Sequence, residues 1–110
     1  MRTTQWATTI SSEELSEILA CDARSNYIIA GQINLKDSSV LLCRGNLEVI
    51  TVPWSWFRET NSVVAPEFLI MELIDFGQTV KLGKYEVAVD TILYAFDAKY
   101  RMHADDKTMD

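Results

Sequence analysis

The residues of this 110-residue chain whose types could do chemistry are few and widely spaced. A nucleophilic or acid–base site needs an activated side chain, a base beside it and usually a third group to orient them. The single histidine, His103, follows the last helical stretch, where a solvated cation at a helix end is the ordinary role. Cys21 and Cys43 form no C-x-x-C pair, and Cys43 sits in the apolar run "SVLLCRG", where a thiol is buried and inert. Glu72, Asp75 and Glu86 interrupt apolar runs, so a desolvated carboxyl there could carry a raised pKa and transfer protons. The same three residues read more simply as the solvent side of strands. "GQTVKLG" places Lys81 between Gly77 and Gly83, but a Walker loop needs Gly-Lys-Ser/Thr opening a helix and a dinucleotide fingerprint needs three close glycines. The pair reads as two turns. One His and two separated Cys do not complete a zinc shell. Asp75, Asp90 and Asp97 lack the spacing of a calcium loop, Asp90 reads as a helix cap, and Asp97 falls on a helix surface. No enzyme, metal or cofactor is expected.

What remains is recognition. Sixteen acids against ten bases give a formal charge of -6, which repels phosphate, so direct nucleic-acid binding is not expected. "VPWSWF" concentrates Trp54, Trp56 and Phe57 with only Arg58 as a basic neighbour. Trp is enriched where partners bind most strongly, so these rings are either a contact surface or the plug of a small core. In a helix, Trp54 and Trp56 point nearly opposite ways, one to the sheet and one outward. Trp6 in the Thr-rich head is a further candidate contact, and Glu13 and Glu17 give the first helix an acidic face.

These side chains must be positioned by a small set of elements. "SSEELSEILACDA" carries an S-x-x-E capping box, Ser11 with Glu14, and an apolar stripe of Leu15, Ile18 and Leu19. It predicts a helix from about Ser12 to Ala23. Runs from Asn26 to Leu35, Ser38 to Gly45 and Asn46 to Pro53 predict an antiparallel meander, with Gly45-Asn46 supplying positive φ values at a tight turn. Pro53 ends the third strand and "WSWFRET" predicts a short helix. "FLIMELIDF", Phe68 to Phe76, reads as a buried strand, with a core helix as the alternative. "TVKLG" and "YEVAV" follow as strands, then Asp90 as N-cap of a helix running through "TILYAFDAKYRMH". The whole predicts one α+β domain over 1–110: a small antiparallel β-meander sheet packed by an N-terminal and a C-terminal helix. Residues 1–10 are expected to be extended or frayed and 104–110 to form a mobile polar tail.

The order of "ITVPWSWF" and "ELIDFGQTVKLGKYEVAVDTILYAF" resembles the small bacterial family known as domain of unknown function 2442. Pro53, Trp56 and Phe57 fit its Pro-x-x-Trp-Phe-like segment, and Asp90, Ile92 and Leu93 fit its acidic residue before a short helix. The likeness covers about residues 26–94 and excludes the capped first helix. It implies a small α+β domain without established catalysis, at times encoded near toxin–antitoxin-like genes, and carries no catalytic residues.

The leading expectation is a non-enzymatic protein-binding module, acting by protein–protein contact or as a homo-oligomer such as a homodimer, with Trp54, Trp56 or Trp6, or an exposed edge of the meander, at the seam. The alternatives are an acidic, antitoxin-like neutraliser of a basic partner and a small carboxylate-dependent enzyme. No apolar run is long enough to span a membrane, and unpaired thiols without an export signal place the chain in the cytoplasm.

Overall fold

The computed structural model describes residues 8–60 and 63–102. The expectations for Trp6, His103 and the 104–110 tail lie outside those residues, as do those for residues 1–7 of the head.

After a two-residue strand, β1 (Thr8–Thr9), the first helix α1 spans Ser12–Leu19. Its capping box is formed: the Ser11 hydroxyl accepts from Glu14 N–H at 3.2 Å, and the Glu14 carboxylate accepts from Ser11 N–H at 3.2 Å. The helix ends four residues before Ala23 (23 − 19), because Cys21, Asp22 and Ala23 do not continue the apolar stripe whose one buried member is Ile18. The chain instead makes a 3-10 turn, Arg24–Asn26, into β2 (Ile28–Asn34).

β2, β3 (Ser39–Arg44) and β4 (Val49–Pro53) form the expected antiparallel meander, and β1 adds at the far side in the order β1-β2-β3-β4. The later strands do not join it. β5 (Met71–Ile74), β6 (Thr79–Leu82) and β7 (Tyr85–Ala88) make a second antiparallel sheet. The two sheets meet where β5 lies against β1 and β2. There the flexible end of the Met71 side chain packs close over Gly31, so that a Cβ on it would lie 2.7 Å from Met71 Cε. Ile28 N–H also donates to Gly77 C=O at 2.8 Å, tying the second sheet's first turn to the start of β2.

Period-two alternation decides what the first sheet buries. Val40 and Leu42 of β3 face the core with Val52 of β4, and all three are fully buried. A register irregularity between Ile28 and Ala30 gives β2 an extra residue and turns Ile28 into the same core. From the second sheet come Val80, Leu82, Tyr85 and Val87, buried at alternate positions. Two helices close the core. α2 (Trp54–Thr60) inserts Phe57, and α3 (Val89–Phe96) inserts Val89, Ile92 and Leu93. Burying a ring such as Phe57 contributes about 1.5–3 kcal/mol. α1 adds only Ile18, placed beside Gly45 and Gly77 at the turn end of the sheets.

Three local expectations are corrected. The "FLIMELIDF" run is a strand only over its middle: Phe68 is buried, but Leu69 and Ile70 are 79% and 53% exposed in the turn before β5. The last helix is capped by Ala88, with Asp90 in its first turn, and it stops at Phe96 because Asp97 takes an extended conformation. Asp97 then accepts from Lys99 N–H (2.9 Å) and Tyr100 N–H (3.2 Å), starting a separate helical turn over 98–102. In the β3–β4 turn the positive φ belongs to Leu47 (73°), not to Gly45 or Asn46. Gly45 is needed because a Cβ there would collide with the Arg24 carbonyl oxygen. The turn closes with Leu47 N–H donating to Arg44 C=O at 2.8 Å, so the left-handed residue falls one place later than a two-residue turn requires.

Candidate interaction surface

The rings of "VPWSWF" divide their duties. Phe57 is the plug, fully buried and edge-on to Phe68 (5.8 Å) and Tyr85 (6.1 Å). The tryptophans flank it, and both pack half-buried against the core, so neither is free of it as opposite helix faces would suggest. Trp54 stacks flat on Phe68, with centroids 4.4 Å apart and planes 7° apart. The Arg58 guanidinium lies over both rings, at 5.8 and 5.5 Å. The Trp54 indole N–H is buried and finds no partner among the described residues. Trp56 stands edge-on to Phe96 of α3 at 5.5 Å, and Phe96 is 37% exposed. Trp56 and Phe96 therefore form a half-exposed aromatic rim.

That rim adjoins an open sheet edge. Phe96, Val49 and Ile50 line one concavity of about 380 Å³. β4 is the last strand of its sheet, paired only to β3. Arg44 N–H donates to Glu48 C=O (2.8 Å) and Trp54 N–H to Ser38 C=O (2.9 Å), which fixes the parity of the strand. Even-numbered residues turn their peptide groups to β3, and Val49, Thr51 and Pro53 turn theirs outward. The outward groups meet no backbone partner among the described residues. The side chains of these three residues are exposed and uncharged, Val49 at 52%. The other exposed strand faces are charged: Glu72, Lys81 and Glu86 oppose one another across β5, β6 and β7.

The carboxylates considered for proton transfer are thus dispersed. Glu72 and Glu86 flank Lys81 on the exposed face, and Asp75 accepts from the Thr79 hydroxyl at 3.0 Å in the β5–β6 turn. Glu13 and Glu17 are exposed on α1. Since α1 packs at the Gly45 end of the sheet and α2 leaves the other end of β4, the acidic residues and the tryptophans are separated by about the ~17 Å length of a strand. The structure does not gather them into one site.

One buried ion pair was not visible from sequence. Arg44, 6% exposed, donates through Nε to Ser25 C=O (2.7 Å) and through Nη1 to Asp97 Oδ2 (2.7 Å), with Glu48 at 3.5 Å. It borders an open concavity of about 570 Å³ with Asn26, Asn46, Lys99 and Tyr100. The signal was its position: Arg44 continues the core-facing row Val40–Leu42 at the end of β3, so it had to be buried and paired. Partial burial alone would push the Asp97 carboxyl up. The Tyr100 N–H, the Arg44 guanidinium and the Lys99 N–H outweigh it and hold Asp97 below its ordinary range. A carboxylate so committed is a poor base, and the arrangement acts as a clamp between the β3–β4 turn and the C-terminal end of α3. Burial also pushes the Cys43 thiol up, away from the reactive thiolate. Burial, then the neighbouring Asp90 carboxylate, pushes the Tyr100 phenol up. Among the described residues no three His, Cys, Asp or Glu side chains gather as a metal site, and no helix is long and apolar enough to cross a membrane.

Comparison of the chain with models of protein families, with curated proteins and with solved structures found no match.

Proposed function

We propose that this protein is a non-enzymatic protein-binding module that works by protein–protein contact, self-association included, through β4 and the Trp56–Phe96 rim beside it. The observation that carries this reading is the uncharged edge: Val49 and Thr51 present peptide groups that no described residue pairs, beneath exposed, neutral side chains. Such an edge is a template for another strand, and proteins that do not use one usually place charge on it or cover it. The rim supplies the aromatic anchor that such contacts favour. The two free thiols fit a reducing compartment, and we place the protein in the cytoplasm.

Light scattering after gel filtration, over a hundredfold range of protein concentration, tests the reading together with affinity capture by wild type and Val49→Lys. The expected result is an assembly, of self or of another protein, that Val49→Lys dissolves while its circular dichroism is unchanged. A strict monomer that also captures no partner sensitive to Val49→Lys overturns it.

A second reading is favoured by the exposure of Glu13 and Glu17: an acidic face that neutralises a basic partner. It requires affinity that falls steeply with salt, since steered charge contacts are screened within about 10 Å at 0.1 M ionic strength. Binding that is indifferent to salt excludes it.

A further inference from the structure

We infer that the strand which covers β4 is β4 of a second copy of this chain, paired antiparallel about a two-fold axis through Thr51. The inference rests on the protein-contact reading above and names the partner.

Three features of β4 fit its own copy. First, the outward peptide groups are self-complementary. Thr51 is the central residue of Val49–Pro53, so a two-fold axis there overlaps the strand over its whole length. Thr51 N–H then meets the Thr51 carbonyl of the second copy, and the reverse. Val49 N–H meets the Pro53 carbonyl of the second copy, both ways round. Pro53 has no N–H to offer, so one Val49 carbonyl per copy is left to water, and the ladder stops there.

Second, the side chains that become neighbours suit one another. Thr51 opposes Thr51, a favoured cross-strand pair, and no like charges are placed opposite within the strand. Half-buried Ile50 comes opposite Val52, on the face that carries Phe96 and Trp56. Third, the charges at the strand ends are complementary. In this register Glu48, just before β4, comes beside the position of Trp54 in the other copy, whose ring carries the Arg58 guanidinium. Glu48 spends Oε1 on Asn46 and Arg44, and its Oε2 makes no hydrogen bond among the described residues. The two-fold axis makes that contact twice.

A two-fold interface of this kind is closed by its own symmetry, since each copy uses its β4 edge once. The solvent face of the second sheet carries Glu72, Lys81 and Glu86, charges that disfavour further pairing there.

Disulfide trapping tests the register. Residues opposite in a hydrogen-bonded antiparallel pair have Cα atoms about 5.5 Å apart, inside the range of roughly 4.4–6.8 Å that a disulfide spans. In a Cys21→Ser background, which leaves only the buried Cys43, Thr51→Cys is oxidised mildly beside Glu86→Cys on β7 as an exposed control. The expected result is rapid conversion of Thr51→Cys to a covalent dimer and little of Glu86→Cys. Arg58→Glu, in otherwise wild-type protein, is expected to weaken the dimer severalfold at low salt and less at high salt. Light scattering that shows a dimer, with Thr51→Cys trapped no faster than Glu86→Cys, overturns this interface and leaves self-association standing. A monomer at all concentrations overturns the second copy as partner. If Val49→Lys then still abolishes capture of another protein, the broader reading survives; if nothing is captured, it fails as well.

Discussion

Asp97 joins three elements, and removing it has a cost that can be worked out in parts. Its Oδ1 caps the helical turn over 98–102 through the Lys99 and Tyr100 N–H groups, and its Oδ2 holds buried Arg44 at 2.7 Å. A helix cap contributes about 1 kcal/mol. A hydrogen bond between charged groups contributes about 1.5–3 kcal/mol, and the Asp97 side chain is only 19% exposed, so screening takes little from it. Asp97→Asn keeps an oxygen for the cap and loses the charge, so it is expected to cost about 2 kcal/mol. Asp97→Ala loses both and is expected to cost about 3 kcal/mol. For a domain of this size each kcal/mol lowers Tm by roughly 4 °C, so the two variants melt about 8 and 12 °C below wild type. Urea unfolding at neutral pH measures the free energies, and Arg44→Met completes a double-mutant cycle that isolates the ion pair. The sign of the pH dependence follows from the lowered folded-state pKa of Asp97. Its contribution is fully present above the ordinary aspartate value of 3.8 and is lost as pH falls through the lower folded value. Wild type and Asp97→Asn should therefore converge only in strong acid. An Asp97→Asn protein as stable as wild type at pH 7 would refute the clamp.

Other substitutions separate packing from backbone demands. Gly45→Ala drives a Cβ into Arg24 C=O and is expected to cost about 1–3 kcal/mol by urea unfolding, the usual penalty of overpacking; a neutral result would mean the turn can shift freely. Leu47→Gly relieves the left-handed φ of 73° and should stabilise by about 0.5–1 kcal/mol, an effect that vanishes if that conformation is not populated. Phe57→Ala should cost about 3–5 kcal/mol and Trp56→Ala clearly less, read as the difference in urea midpoints, because only Phe57 is fully buried. Tyr85→Phe removes a buried hydroxyl that meets no partner in hydrogen-bond geometry among the described residues, the nearby Thr60 hydroxyl giving its proton to Trp56 C=O at 2.6 Å. It should be neutral or stabilising by up to about 1 kcal/mol, and a marked loss of stability would show that the phenol is satisfied in solution.

Local chemistry carried the parts of the fold that sequence made legible. The Ser11–Glu14 box acts between neighbours and formed as read, and so did the meander and the short helix after Pro53. What sequence hid depends on tertiary context. The apolar "FLIMELIDF" looks like one strand, yet Leu69 and Ile70 spend their apolar surface in a turn that brings Phe68 under Trp54. Asp97 looks like a helix-surface residue until Arg44 is found beside it, more than fifty residues away in sequence. The division into two sheets is a matter of which strands pair, and no periodicity records that β5 packs against β1 and β2 without joining their ladder. Of the candidate contacts, Trp54 and Trp56 were visible as residue types. An exposed edge of the meander was expected too, but that β4 carries it was not legible, because which strand ends a sheet is a property of the assembled meander.

Each sheet is built from consecutive stretches of chain, the first within residues 8–53 and the second within 71–88. Every strand of the first sheet therefore leaves the ribosome before any strand of the second does. Yet the inner side of that first sheet, with Val40, Leu42 and Val52, packs among the described residues chiefly with Phe57, Phe68, the second sheet and α3. At about 5–20 residues per second, the nascent chain holds a finished but uncovered apolar face for roughly two to eight seconds. During that interval the molecule is most exposed to misassociation.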